Sequence, residues 1–284
     1  MKRILITGKN SYIGNSFENW IADDDSFHVE KISLREDNWK GLDFSKYDVI
    51  FHVAGIAHVS SDPKMEEKYY KVNKDLTMDV AKKAKDDGVK QFIFMSSIIV
   101  YGDSTEANGI ITKSTPPDPS NFYGNSKLQA EEGVRKLQSD RFNVVIIRPP
   151  MIYGKGSKGN YPKLAKLAKI TPVFPDFPNK RSMLHIDNLC EFIKLMIINN
   201  ENGLFFPQNE EFVNTSELVQ VISKTHKKKI WLISTFNPVI KKLLKFEIVN
   251  KVFGNLVYEK SMSTYESGYQ LRNLEDSIKL TERE

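Results

Sequence analysis

One cysteine in 284 residues excludes an internal disulfide, and without a His/Cys cluster beside it a structural zinc site is excluded too. Cys190 therefore suits a reducing compartment, and a cytoplasmic location is expected. Long apolar runs are also missing. Met1-Lys2-Arg3 and Ile4-Leu5-Ile6 begin like a leader peptide, but Thr7-Gly8-Lys9-Asn10 ends the run early. No later stretch approaches the ~18 apolar residues of a membrane span. Charge imbalance is small: a formal net charge of +5 can serve anionic substrates, a membrane surface or nothing specific, and no basic and aromatic module marks a nucleic-acid binder. Repeats and low-complexity linkers are absent. What remains, 40% apolar and 27% charged residues, is the composition of a folded globular protein. The length admits one large or two closely joined domains.

The first half alternates short apolar runs with amphipathic ones, as β-α-β units do. Strands are expected at Lys2 to Thr7, His28 to Ser33, Val49 to Val53, Gln91 to Met95 and Asn143 to Arg148. Ile13, Phe17, Trp20 and Ile21 fall at helical spacing, as do Val72, Leu76 and Val80. The pattern predicts an α/β fold, a doubly wound parallel (Rossmann) sheet with helices on both faces. Arg35 to Tyr47 is too short for a long helix plus a strand, so a reduced helix and a small third strand near Asp43 are expected. After Pro149-Pro150 the alternation stops. Gly154, Gly156 and Gly159 precede a helix from Pro162 to Lys169, and Pro172, Pro175 and Pro178 follow. Residues 1–150 thus read as a dinucleotide-binding domain and 151–284 as a smaller substrate-binding lobe, with residues near 183–200 returning to the first.

Thr7-Gly8-Lys9-Asn10-Ser11-Tyr12-Ile13-Gly14 follows the first strand and opens the first helix. There a diphosphate can sit on free N–H groups and the helix dipole. The glycines alone are weak; their placement between strand and helix gives the signal its force. Gly8, Asn10, Ser11, Tyr12, Ile13 and Gly14 are the candidate cofactor residues. Ser11 stands where such turns usually have glycine. At the end of the second strand an NAD site carries Asp or Glu, whereas this chain has Ser33-Leu34-Arg35. A hydroxyl and a guanidinium bind a 2′-phosphate that a carboxylate would repel, so NADP is favoured. NAD stays open, with Glu36 or Asp37 reaching the ribose and Arg35 solvated.

Tyr123 and Lys127 have the Tyr-x-x-x-Lys spacing that puts both on one helix face. With eleven tyrosines, about one such pair is expected by chance, and Tyr70/Lys74 is a second. Context separates them. Before Tyr123 a strand runs out through Ser96-Ser97, so a serine hydroxyl can meet the tyrosine at the carboxyl end of the sheet. Tyr70 has no such serine and reads as an exposed helix residue. Hydride transfer to a ketone needs a proton for its oxygen, and a tyrosine with a pKa near 10 exchanges protons poorly at neutral pH. A nearby ammonium would lower that pKa. Ser97, Tyr123 and Lys127 are the candidate catalytic residues, and none requires a metal.

These residues resemble the extended short-chain dehydrogenase/reductases, specifically the NAD-dependent epimerase/dehydratase family acting on sugar nucleotides, from Ile4 to about Thr281. The resemblance implies catalytic roles for Ser97, Tyr123 and Lys127, with Lys127 also holding the nicotinamide ribose. It implies contact of Ala54 and Gly55 with the adenine side of the cofactor, and of Ser96 and Pro150 with its other parts. For the sugar nucleotide it implies Ser97, Asn160 and Arg181, the last through the diphosphate. Arg181 also reads as a surface ion pair, and His185 and Asp187 as a turn and helix cap. Met151 departs from the asparagine of many UDP-sugar epimerases. Relatives pair into homodimers through the helices corresponding to Val72–Ala84 and Tyr123–Leu137.

Dehydratases of this family carry acidic or basic residues just after the catalytic Ser/Thr. Here Ile98 and Ile99 follow Ser97, and neither transfers a proton. A 4-ketoreductase and a 4-epimerase share the remaining motifs. The NADP reading and the likeness to enzymes of capsule and O-antigen synthesis favour reduction of a UDP-4-keto-6-deoxy-N-acetylhexosamine, with UDP-sugar 4-epimerase as the alternative. A dinucleotide-binding sensor or scaffold is a third reading, which retention of all three catalytic groups disfavours. Finally, Phe236 to Tyr258 mixes apolar residues with lysines. Such a helix packs onto its own domain or lies weakly on an anionic membrane surface.

Overall fold

Ile4, Leu5 and Ile6 are fully shielded from solvent, as a strand covered on both faces requires. In this computed structural model, which describes residues 1–57, 62–102 and 109–283, they lie in β1 (Lys2–Thr7), followed by α1 (Tyr12–Trp20), β2 (Phe27–Ile32) and β3 (Val49–His52). A short helix α2 (Glu66–Tyr69) runs through a π turn (Tyr70–Asp75) into α3 (Leu76–Asp86). Then come β4 (Gln91–Met95), β5 (Ile110–Ile111), α4 (Phe122–Arg135), β6 (Asn143–Ile147) and β7 (Met151–Tyr153). They are followed by α5 (Asn160–Ile170), β8 (Val173–Pro175), β9 (Met183–His185), α6 (Ile186–Ile198) and β10 (Gly203–Phe205). The chain ends with α7 (Thr215–Thr225), β11 (Trp231–Ile233), α8 (Asn237–Leu243), α9 (Glu247–Phe253), β12 (Val257–Tyr258) and α10 (Leu274–Glu282).

Six strands form one parallel sheet in the order β10-β6-β4-β3-β1-β2. Alternate side chains leave its two faces. Ile4, Ile6, Phe51, Ile93 and Val145 pack with Phe17 of α1 and Leu189, Ile193 and Met196 of α6. Leu5, Ile50, Phe92, Phe94 and Ile146 pack with Val80 and Ala84 of α3 and with Ala130 and Val134 of α4. This is the doubly wound α/β architecture expected. A third apolar cluster joins Tyr153, Leu164, Phe174, Val219, Ile222 and Ile278 beside the sheet.

The small strand expected near Asp43 does not form. Residues Asp37–Gly41 make a 3₁₀ turn, and Trp39 and Phe44, both buried, stack at 6.5 Å. Asp43 accepts the Ser45 N–H at 2.8 Å, turning the chain where a strand would have continued. The apolar residues of this segment plug one face of the sheet instead of extending its edge. Among the described residues no helix is long and apolar enough to cross a membrane.

Candidate active site

The β1–α1 turn is held against β2, with the N–H groups of Gly8 and Lys9 both donating to the Ile32 carbonyl at 2.9 Å. Gly8 has φ +105°, and a Cβ there would stand 3.1 Å from the Ala54 nitrogen, so the turn tolerates only glycine. At Gly14 a Cβ would press on Ile6 at 2.9 Å, which explains how closely α1 approaches the sheet. Ser11 caps α1, its hydroxyl accepting the Gly14 N–H. Helix geometry leaves the first-turn N–H groups of Tyr12 and Ile13 free of intrahelical partners, and Asn10 is exposed beside them. At the end of β2 the Ser33 hydroxyl accepts the Arg35 N–H. Arg35 is exposed, while Glu36 accepts from Asn38 and Asp37 pairs with Lys40.

Across the carboxyl end of the sheet, α4 carries Tyr123, Lys127 and Glu131 along one side. Asn121 caps it, accepting the Gly124 N–H at 3.0 Å. Ser97 follows β4 and caps the turn Ile98–Tyr101 by accepting the Ile99 N–H. The structure places Ser97 beside the Tyr123 hydroxyl, close enough to favour its ionised form. Lys127, buried, donates to the Met95 carbonyl at 2.8 Å and lies 4.7 Å above the Phe94 ring. A Cβ added to Gly55 would sit 3.3 Å from the Lys127 Nζ and 3.1 Å from the Asn73 Oδ1. Gly55 therefore keeps open a cradle between the lysine and β3, and with the glycine turn it fits a dinucleotide. Ala54 is half-buried next to it.

The electrostatics differ from the sequence expectation. Burial pushes the Tyr123 hydroxyl up to about 12, with the Ser97 hydrogen bond pulling the other way. Burial likewise draws the Lys127 ammonium down to about 8, opposed by Glu131. Loss of solvent is the largest cause of both shifts, and the Lys127 ammonium is turned to the Met95 carbonyl.

Behind this cluster lies a buried network that motif reading missed. Glu131 receives Arg148 through Nη2 at 2.6 Å and Nε at 3.0 Å, and Arg148 Nη1 donates to the Tyr101 hydroxyl at 2.6 Å. The Ser96 hydroxyl also donates to Glu131, so its side chain is turned into this network. The Pro149 carbonyl accepts the Ile98 N–H at 2.9 Å, which ties the buried Pro149-Pro150 segment to the Ser97 turn. Asn73 is fully buried on the π turn. It bridges the Ile56 backbone, N–H at 2.8 Å and carbonyl at 3.0 Å, to the Ser126 hydroxyl at 3.1 Å. The one sequence sign of the network was the i, i+4 spacing of Lys127 and Glu131.

The remaining candidates stand on other elements. Asn160 opens α5, exposed. The Arg181 guanidinium donates to the carbonyls of Asn250 within α9 and of Gly254, its C-cap. Tyr70 is half-buried rather than exposed, its hydroxyl accepting from Asn125 of α4. His185 caps α6, accepting the Asp187 N–H.

His52 is buried between Thr7 and Thr77, at 2.8 and 3.0 Å. Burial, aided by Lys127, draws it down to about 3 from its ordinary 6.5, and burial draws His185 down to about 4. The unfolded chain then binds protons that the native state refuses, so stability present above pH 6.5 falls as pH drops toward these values. The unfolding free energy from urea titration is expected to fall between pH 7 and pH 5, by up to about 1.4 kcal/mol per pH unit for each histidine. In His52→Asn the slope should be shallower; an unchanged slope would contradict this assignment.

Comparison with known proteins agrees with this geometry. The profile of the family described as "NAD dependent epimerase/dehydratase family" matches residues 4–205. A UDP-glucose 4-epimerase of Vibrio cholerae is 29% identical over 309 aligned positions, covering 99% of this chain and 94% of that protein. In fold, the chain is similar to a dTDP-4-dehydrorhamnose reductase from Clostridium acetobutylicum, at TM-score 0.76 and 19% identity over 98% of each chain. It is also similar to a UDP-glucuronic acid 4-epimerase from Bacillus cereus in complex with NAD, at TM-score 0.75 and 18% identity over 98% of this chain and 94% of the other. A dinucleotide turn on β1, a serine at the end of β4 and a tyrosine–lysine pair on α4, together with this match, make the chain a member of the NAD-dependent epimerase/dehydratase family.

Proposed function

We propose that the chain is an NADPH-dependent reductase of the 4-keto group of a UDP-linked 6-deoxy, N-acetylated hexose, serving surface polysaccharide synthesis in the cytoplasm. The observation that carries this reading is the end of β2, where Arg35 is exposed while Glu36 and Asp37 are engaged by Asn38 and Lys40. A free guanidinium there favours a 2′-phosphate, and a net reductase draws on NADPH. Gly8, Asn10, Tyr12, Ile13 and Gly14 would hold the diphosphate, Ser33 and Arg35 the 2′-phosphate, and Ala54, Gly55 and Pro150 would flank the rest. Asn160 and Arg181 would take the sugar nucleotide.

A bound nicotinamide supplies the hydride. Ser97 and Tyr123 address the carbonyl oxygen, Ser97 by a hydrogen bond and Tyr123 by donating its proton as negative charge develops. The Lys127 ammonium balances the phenolate that remains. Ile98 and Ile99 offer no proton-transfer group, so elimination of water has no acid or base at that position. Purified protein is expected to oxidise NADPH faster than NADH when given a UDP-4-keto-6-deoxy sugar. Interconversion of UDP-glucose and UDP-galactose without added coenzyme would instead establish the second reading, a 4-epimerase, which the Vibrio cholerae relative favours.

Arg35→Ala should raise the NADPH KM by about 10- to 100-fold, the worth of a charge-assisted hydrogen bond or two, and leave that for NADH unchanged. Equal effects on both coenzymes would exclude the 2′-phosphate contact, and no effect on either would remove Arg35 from the site. We also propose a homodimer through α3 and α4, which size-exclusion chromatography with light scattering would detect as twice the chain mass.

A further inference from the structure

We propose that α8, α9 and the segment entering them form a docking surface for an anionic phospholipid bilayer. Between Leu218 and Phe246 the chain carries seven lysines, from Lys224 to Lys245, and no aspartate or glutamate. An amphipathic stripe of this kind usually packs onto its own protein; here Val252 and Phe253 of α9 do so, against the third apolar cluster, whereas Phe236, Val239, Leu243, Phe246 and Ile248 stay exposed. In α8 Ile240 is the one fully buried residue, and in α9 none is fully buried. Val239 is 55% exposed, Phe246 53% and Ile248 81%. Phe236, Val239 and Leu243, spaced three and four apart, are all exposed, so they form one apolar side of the segment. Among the described residues no carboxylate pairs with Lys241, Lys242 or Lys245. The strand before them continues the pattern. Trp231 is exposed with the Lys229 ammonium 4.1 Å above its ring, and its register partner Val173 is exposed as well.

The composition selects the occupant. Protein–protein interfaces are depleted in lysine, whereas helices lying in a headgroup layer combine lysines with Trp, Phe and Leu. Lysine stems can lie along the acyl boundary with their ammonium groups among phosphates. With seven lysines before the first acid, Glu247, which α9 pairs internally with Lys251, this surface is complementary to negative headgroups, and the inference is independent of the reaction assigned above.

Full-length protein should be sedimented with vesicles of phosphatidylcholine alone and of phosphatidylcholine with phosphatidylglycerol. Binding is expected to the anionic vesicles and to weaken with salt. Combined Lys241→Glu, Lys242→Glu and Lys245→Glu should lower it by at least about tenfold, since each lysine near an anionic surface is worth roughly fivefold. Phe246→Ser with Ile248→Ser should also lower it, with the lysines intact. These side chains are exposed, and unchanged NADPH binding would show that each variant is folded. Absence of binding, or binding unchanged in either variant, would overturn the proposal. So would self-association that depends on Phe246 and Ile248 without vesicle binding, which would make the face a protein interface.

Discussion

Tyr123→Phe is expected to lower kcat by about 10²- to 10⁴-fold, the usual worth of a positioned general acid, while coenzyme affinity stays within about twofold of the parent. The substitution removes one hydroxyl from a half-buried ring packed edge-on to Tyr69, so neither the helix nor the cradle at Gly55 should change. A comparable loss of coenzyme binding would move Tyr123 from proton donor to structural support. Lys127 gives the pH dependence its sign. Its ammonium is held near 8, so the reductive rate should fall as pH rises through that value and the phenolate loses its counter-charge. The same depression, from an ordinary 10.5, means that the folded chain releases a proton between pH 8 and 10.5 that the unfolded chain retains. Stability rises with pH across that window, and below it the buried ammonium is a cost. Lys127→Met should therefore be inactive yet more stable at pH 7, by about 1–3 kcal/mol, a site where function opposes stability.

Glu131→Gln is expected to cost about 3–5 kcal/mol, because it leaves the Arg148 guanidinium buried without its counter-charge. The pair is almost wholly sheltered, with side-chain exposures of 4% for Arg148 and 1% for Glu131. Equilibrium urea unfolding measures the effect directly. Arg148→Met added to Glu131→Gln should recover most of the loss, since two neutral groups of similar volume avoid the unpaired charge. If instead the two losses add, the residues are not energetically coupled.

The strands were legible because their signal is local. Gln91 to Met95 and Lys2 to Thr7 are apolar runs of strand length bounded by polar residues, and both form strands with those bounds. The segment around Asp43 misled, because Trp39 and Phe44 look the same in sequence whether they extend a sheet or plug its face. Tyr-x-x-x-Lys was ambiguous on its own, and only the preceding serine separated Tyr123 from Tyr70. Glu131 and Arg148 were illegible as partners, since two charges 17 positions apart announce nothing until α4 and β6 are packed together. The lysine-rich stripe at α8 was visible, but sequence alone does not say whether its apolar side turns inward.

The π turn at Tyr70–Asp75 carries one residue more than an α-helical turn would. Each residue of an ordinary helix advances the chain by about 100°, so removing any one position here would swing Asn73 away from Ile56 and Ser126. Point substitutions on its outer face should be borne easily, whereas a one-residue deletion anywhere in the stretch should not. The length of this turn is therefore under tighter constraint than its composition.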